Sequence, residues 1–144
     1  MEQKSKVYLY QTAVKWTEQR KGVIACTGKP DVQVATPPEF KGHDGIWSPE
    51  DLFVASANVC LMTTFLAVAE RAGLAFSAYE STAEGRLELV EGKFQFTAIT
   101  IRPSITLKSG EDAGKAKELI EKAEGNCLIS NSMKAAVTLE PVIR

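Results

Sequence analysis

The sequence holds one histidine and three cysteines in 144 residues. No two cysteines form a CxxC pair, so neither a disulfide framework nor a zinc ribbon is expected. His43 is the single histidine, which leaves no ligand pattern for a metal, and no cofactor is expected. A net charge of -1 lacks the positive excess that nucleic acid or an anionic membrane demands. No uninterrupted run reaches the roughly 18 apolar residues of a membrane span. Residues 52–69 come nearest but are diluted by Ser56, Asn58, Thr63 and Thr64. The opening stretch MEQKSKVYLYQ has no apolar core followed by small residues, so no signal peptide is expected and the cytoplasm is the expected compartment. Repeats and low-complexity segments are absent.

What is present is ordinary for a folded domain. The chain is 44% hydrophobic and 24% charged, and its length suits a single domain over residues 1–144 with a sizeable core. Its dominant stretch is residues 48–73, SPEDLFVASANVCLMTTFLAVAERAG, which reads as a long helix. Ser48 suits the cap, Pro49 the first helical position, and Glu50 and Asp51 place negative charge against the positive helix end. Ser48 and Asp51 have the spacing of a capping box, with Asp in the place usually held by Glu or Gln. Apolar residues lie on nearly every face, predicting a helix buried on most sides, and Gly73 can end it.

Around this helix the pattern is strand-rich. Residues 6–17, 21–27 and 31–35 read as three strands of an antiparallel meander with turns at 18–22 and 28–30. Pro and Gly make residues 36–47 a loop. After Gly73 come two or three strands. Glu91-Gly92 is a hairpin turn candidate, and Pro103 marks a bulge or an edge. Residues 109–124 form an amphipathic helix whose apolar stripe is Ala113, Ala116, Leu119, Ile120 and Ala123. Asn126 is placed to cap a short helix over residues 127–134, and residues 136–142 form a last strand. The class is α+β.

Chemistry rests on few residues. Cys60 and Cys127 each fall in an apolar helix, where a free cysteine is commonly a small buried hydrophobe, and Cys26 sits on a strand. A reactive thiolate needs positive potential. Cys127 has a source at the start of its helix, so this argument alone favours it as the reactive thiol. Cys60 is mid-helix and must borrow charge. Arg20, in a turn, is one donor, although an isolated turn arginine is commonly just solvated. Glu50 can hold such an arginine or merely compensate the helix dipole. Ten helical residues span about 15 Å, so Glu50 cannot touch Cys60 in one straight helix. If both serve one site, Glu50 comes from a second subunit. A cysteine hydrolase would have to use His43 as base. A non-catalytic dimer binding an apolar ligand is the other alternative.

Taken in order, several motifs resemble the OsmC/Ohr family (osmotically induced protein and organic hydroperoxide resistance protein). They are Arg20-Lys21-Gly22, VATPPEF at 34–40, SPEDLF at 48–53, Cys60 ten residues after Glu50, and CLISNS at 127–132. The last is similar to the family's C-P-x-S. The resemblance implies an OsmC-like fold of antiparallel sheets packed around long central helices in an intertwined homodimer. It also implies a thiol peroxidase that reduces organic hydroperoxides, and hydrogen peroxide less well, with an external dithiol closing the cycle. Cys60 matches the peroxide-attacking cysteine and Cys127 the resolving one. Arg20 and Glu50 match the pair that activates the first thiol. Leu128 stands where better characterised members have Pro, and Asn131 where they have a basic residue, so the chain resembles a less characterised branch. Leu61, Met62 and Phe65, with Phe40 and Trp47, are the expected apolar lining around Cys60.

Overall fold

The computed structural model describes residues 6–144. Residues 1–5, which begin the stretch read for a signal peptide, lie outside the described residues. The chain divides into two compact units, one ending at Leu52 and the other Phe53–Arg144.

In the first unit, β1 (Ala13–Glu18), β2 (Lys21–Ala25) and β3 (Val32–Ala35) make the expected antiparallel meander. The first strand is shorter than its sequence suggests. Its ladder stops at Ala13 opposite Ala25, where β2 ends, so among the described residues no strand backbone is left for residues 6–12 to pair with. The β1–β2 turn passes through Gln19 at φ 52, and Trp16 Nε1 donates to the Gln19 carbonyl at 2.8 Å, bracing it. The loop after β3 holds one 3-10 turn, Pro38–Phe40.

Helix α1 runs Pro49–Ala72. The capping box forms: Asp51 N donates to Ser48 Oγ at 3.0 Å and Ser48 N donates to Asp51 Oδ2 at 3.0 Å. Gly73, at φ 69, ends the helix. By length and composition α1 is apolar enough to cross a membrane, which corrects the expectation that no run qualifies. Here it serves as a core helix. The other correction concerns burial. Within one chain only a stripe is sealed, Ala57, Leu61, Phe65, Val68 and Ala69, while Val59 and Leu66 remain exposed. A single sheet layer covers only one side of a helix.

In the second unit, β4 (Phe76–Val90) and β5 (Lys93–Leu107) form a long hairpin whose turn, Glu91 at φ 49 and Gly92 at φ 79, has the positive angles of a type I′ turn. Gly85 on β4 permits close packing: a Cβ there would meet Val54 Cγ2 at 2.5 Å and Phe96 Cε1 at 2.8 Å. Helix α2 (Ala113–Gly125) begins later than expected, because Asp112 is its cap and accepts from Gly114 N at 2.8 Å. Of its expected stripe, Ala116, Ile120 and Ala123 are buried and Leu119 partly so, while Ala113, in the first turn, is exposed. Helix α3 (Leu128–Asn131) is shorter than expected and is capped by Cys127, while Asn126 closes α2 instead.

The last strand is two, β6 (Ala136–Leu139) and β7 (Val142–Ile143), split at Pro141, and both run parallel to β5. The second sheet is therefore mixed rather than purely antiparallel. Pro103 marks neither a bulge nor an edge. It lies centrally in β5, between the β6 ladder ending at Ile101 and the β7 ladder starting at Ser104, where an N–H has no strand to meet. The core joins the α1 stripe to Ile99, Ile101 and Ile105 of β5 and to the α2 stripe.

Candidate functional site: a pair of thiols

Cys60 lies two turns into the second unit's part of α1, half-buried, and Cys127 is fully buried at the cap of α3. The two thiols are within hydrogen-bonding reach of each other, with no disulfide between them. Folding of α2 back along the sheet returns residue 127 to α1. Cys127 N donates to the Glu124 carbonyl at 3.2 Å, and Asn131 N donates to the Cys127 carbonyl at 3.0 Å, so the chain around Cys127 is held on both sides.

The surroundings drive the two groups in opposite directions. Burial pushes the Cys60 thiol up, but hydrogen bonds from the Ile129 N–H, the Cys127 thiol, the Thr64 hydroxyl and the Leu128 N–H together outweigh it, leaving Cys60 below its ordinary value. Thr64 Oγ1 stands 3.9 Å from Cys60 Sγ. Burial pushes the Cys127 thiol up; Ser130 opposes this through its hydroxyl and N–H, and the neighbouring Cys60 adds to the rise. A negative charge on Cys60 makes a second charge beside it costly. The first two N–H groups of α3, those of Leu128 and Ile129, therefore serve Cys60, while the third, that of Ser130, serves the cap residue's own sulfur without offsetting its burial, against the helix-start argument from sequence.

Other polar groups crowd Cys127. Tyr79, on β4, is pushed up to about 12 by burial, with the Ser81 hydroxyl opposing and the proximity of Cys127 adding. Asn58 Nδ2 donates to the Ser81 carbonyl at 3.3 Å. Sequence reasoning missed Thr64, Glu124, Ser130 and Tyr79. Only Thr64, one helical turn after Cys60, and Ser130, one turn after Cys127, carried a spacing signal.

Arg20 and Glu50 belong to the first unit. Arg20 Nη1 donates to the Phe40 carbonyl at 3.1 Å, tying the β1–β2 turn to the 3-10 segment. Glu50 Oε1 is sealed from solvent with no hydrogen-bond partner. Among the described residues these two form no ion pair with each other. A cavity of about 310 Å³ is lined by Trp16, Arg20, Val34 and Pro49, among others. His43 is half-buried in the loop, its N–H donating to the Thr36 carbonyl at 2.9 Å. Cys26 lies one residue beyond β2, with its carbonyl accepting from Lys29 N in the turn. The expected lining needs one correction: Leu61 and Phe65 are fully buried in the core, with Phe65 stacked on Tyr79 at 5.5 Å between ring centroids. Successive helical positions point about 100° apart, so Leu61 faces the sheet while Cys60 does not. Among the described residues no group of three or more metal-ligating side chains occurs.

Comparison with known proteins agrees with this architecture. The chain is 31% identical over 110 residues to the uncharacterized protein YmaD of Bacillus subtilis, 74% of this chain and 73% of that one. It is 29% identical over 101 residues to the peroxiredoxin OsmC of Escherichia coli, 70% and 69% of the two chains. Among solved structures, an OsmC-like protein of unknown function from Vibrio cholerae superposes with a TM-score of 0.87 at 21% identity, covering 94% of this chain and all of that one. An organic hydroperoxide resistance protein OsmC from Legionella pneumophila gives a TM-score of 0.73 at 26% identity, covering 95% and 98%. Residues 42–142 match the family described as OsmC-like protein, and the chain belongs to that family.

Proposed function

We propose that this protein is a cysteine-based, peroxiredoxin-like reductase of organic hydroperoxides, and of hydrogen peroxide less efficiently. The observation that carries the reading is the paired thiols, one lowered and one raised, facing each other inside one unit. The names of the Escherichia coli and Legionella pneumophila relatives support the substrate class. In this reading the Cys60 thiolate attacks the distal peroxide oxygen, and the alkoxide leaves as alcohol. Cys60 becomes a sulfenic acid. Cys127 displaces hydroxide from it to form the Cys60–Cys127 disulfide, and an external dithiol restores both thiols.

Arg20 and Glu50 act as an activating pair, with Arg20 swung from the Phe40 carbonyl toward the thiolate and the leaving oxygen. The unpartnered Glu50 oxygen supports a role for that carboxylate, since buried polar atoms rarely go unpaired. Glu50 is supplied by a second subunit. The exposed Val59 and Leu66 on α1, and Val14 and Trp16 on β1, support a homodimer that covers them. Residues 1–144 act as one functional domain, without metal or cofactor, in the cytoplasm.

The test is mass spectrometry after one equivalent of cumene hydroperoxide. A Cys60–Cys127 linkage is expected, and unchanged thiols would leave only a ligand-binding dimer. Turnover should be faster with cumene hydroperoxide than with hydrogen peroxide. The variant His43→Ala should retain activity, and its inactivity would favour a hydrolase. Sedimentation that finds a fully active monomer would remove the shared site.

A further inference from the structure

The thiol that closes the disulfide must lose its proton, and burial holds Cys127 neutral. The groups facing it come from four elements. Cys60 on α1 is the reaction partner. Tyr79 on β4, held at about 12, keeps its own proton, and the neighbouring Ser81 is another hydroxyl, so a path through them ends on no carboxylate that could take the proton. That leaves Ser130 on α3 and Glu124 in the last turn of α2. Glu124 Oε2 and Ser130 Oγ are both sealed from solvent, and neither is held in a well-formed hydrogen bond. They nonetheless face one another loosely, and Ser130 in turn faces the Cys127 sulfur. Two orphaned oxygens in series, ending on a thiol, are unusual in a native interior. They have no structural employment here: Asn126 already closes α2, and Glu124 joins no ion pair among the described residues. Catalytic contacts of this kind are commonly long in the resting state and tighten during reaction.

We propose that Ser130 and Glu124 form the proton exit of Cys127, with the Ser130 hydroxyl passing the thiol proton to the Glu124 carboxylate as the disulfide forms. The proposal rests on the peroxidase reading above. In the step, the Cys127 S–H bond breaks and its electron pair attacks the Cys60 sulfur. The Cys60 S–O bond breaks and hydroxide leaves. The thiol proton moves to Ser130 as the Ser130 proton moves to Glu124. Glu124 then returns a proton to the hydroxide, giving water. Cys127 is oxidised and the sulfenic acid is reduced, with no further reagent. Burial raises the Glu124 carboxyl above its ordinary value, with Ser130 opposing, which makes it a stronger proton acceptor than an exposed glutamate. Ser130 touches a reacting atom, and Glu124 acts through it.

The experiment is a rapid-quench single turnover with one equivalent of cumene hydroperoxide, read two ways: sulfenic acid trapped at Cys60 with dimedone, and disulfide by intact mass. In Glu124→Gln and in Ser130→Ala, sulfenic acid should accumulate, because disulfide closure slows by about 100-fold at neutral pH, the low end of general-base catalysis. Closure in both should then rise steeply with pH as hydroxide replaces the relay. Ser130→Thr, which keeps the hydroxyl, should close far faster than Ser130→Ala. Closure at the wild-type rate in Glu124→Gln overturns the proposal. So does an equal slowing in Ser130→Thr and Ser130→Ala with an unchanged pH profile, which would be a packing effect. Should Ser130→Ala fail to fold, the near-isosteric Glu124→Gln decides. Absence of sulfenic acid in the wild-type protein instead overturns the peroxidase reading, and this proposal with it.

Discussion

Cys60 and Cys127 share one contact and differ in everything around it. Cys60 receives two backbone N–H groups, a hydroxyl and a thiol, and its proton is loosened despite burial. Cys127 sits at the very cap of α3, yet burial and its neighbour hold its proton on. The lesson is that a helix end favours whatever anion its N–H groups point at, not the residue that happens to start the helix. Here the first two point across to Cys60 on α1, and the third points back to Cys127. This gives the pair a division of labour: one thiol is ready to ionise, the other stays neutral until a partner sulfur is oxidised.

The sharpest way to break this comparison is to remove each sulfur in turn. Cys60→Ser should reduce hydroperoxide consumption to background, while Cys127→Ser should still give one dimedone-trapped sulfenic acid per chain and then stop. Equal phenotypes, or the reverse order, would end the assignment. Next in size is Thr64→Val, which keeps the shape and deletes a donor to Cys60. The pH midpoint of Cys60 alkylation should move up. Peroxide reactivity at neutral pH should fall by roughly twofold to tenfold, as loss of a hydrogen bond of about 0.5–1.5 kcal/mol implies. The sign follows from the lowered thiol: the thiolate population rises with pH and levels off above the Cys60 value, so losing a donor shifts that rise to higher pH.

Tyr79 tests the Cys127 side. Its hydroxyl is neutral in both folded and unfolded chains below pH 10. Between 10 and about 12 the unfolded chain releases a proton that the folded one keeps. Stability is therefore intact below pH 10 and declines as pH rises through that window. Tyr79→Phe should flatten the alkaline decline in urea midpoints, and an unchanged decline would place the cause elsewhere. The smallest effect is expected from Leu128→Pro. This removes the last and weakest of the donors to Cys60 at the first position of α3, where proline fits. The Leu128 side chain is 67% exposed, so little packing is lost. Reactivity should fall by about twofold, within the lower range of a single hydrogen bond. A large loss would mean that the backbone of α3, rather than its individual donors, controls Cys60.

Much of the fold was readable from local chemistry. The Ser48–Asp51 box, the Glu91-Gly92 turn and the α2 stripe each depend on residues a few positions apart; the first two formed as expected, and the stripe did so except at the exposed Ala113. Misreadings arose where a distant strand or helix decided. Residues 6–12 look like strand, but β2 is too short to pair with them. Pro103 looks like an edge marker, but the gap between β6 and β7 accommodates it in a central strand. Leu61 and Phe65 look like pocket lining beside Cys60, but the sheet claims them.

Periodicity, caps and turn residues therefore determined the elements and the α+β class, because those signals act over one or two helical turns or a single hairpin. The ordered motifs also singled out both cysteines. Only tertiary structure decided which thiol is favoured as an anion. The N–H groups of Leu128 and Ile129 gain meaning through the direction in which they point, and that direction exists only once α2 has carried α3 back against α1.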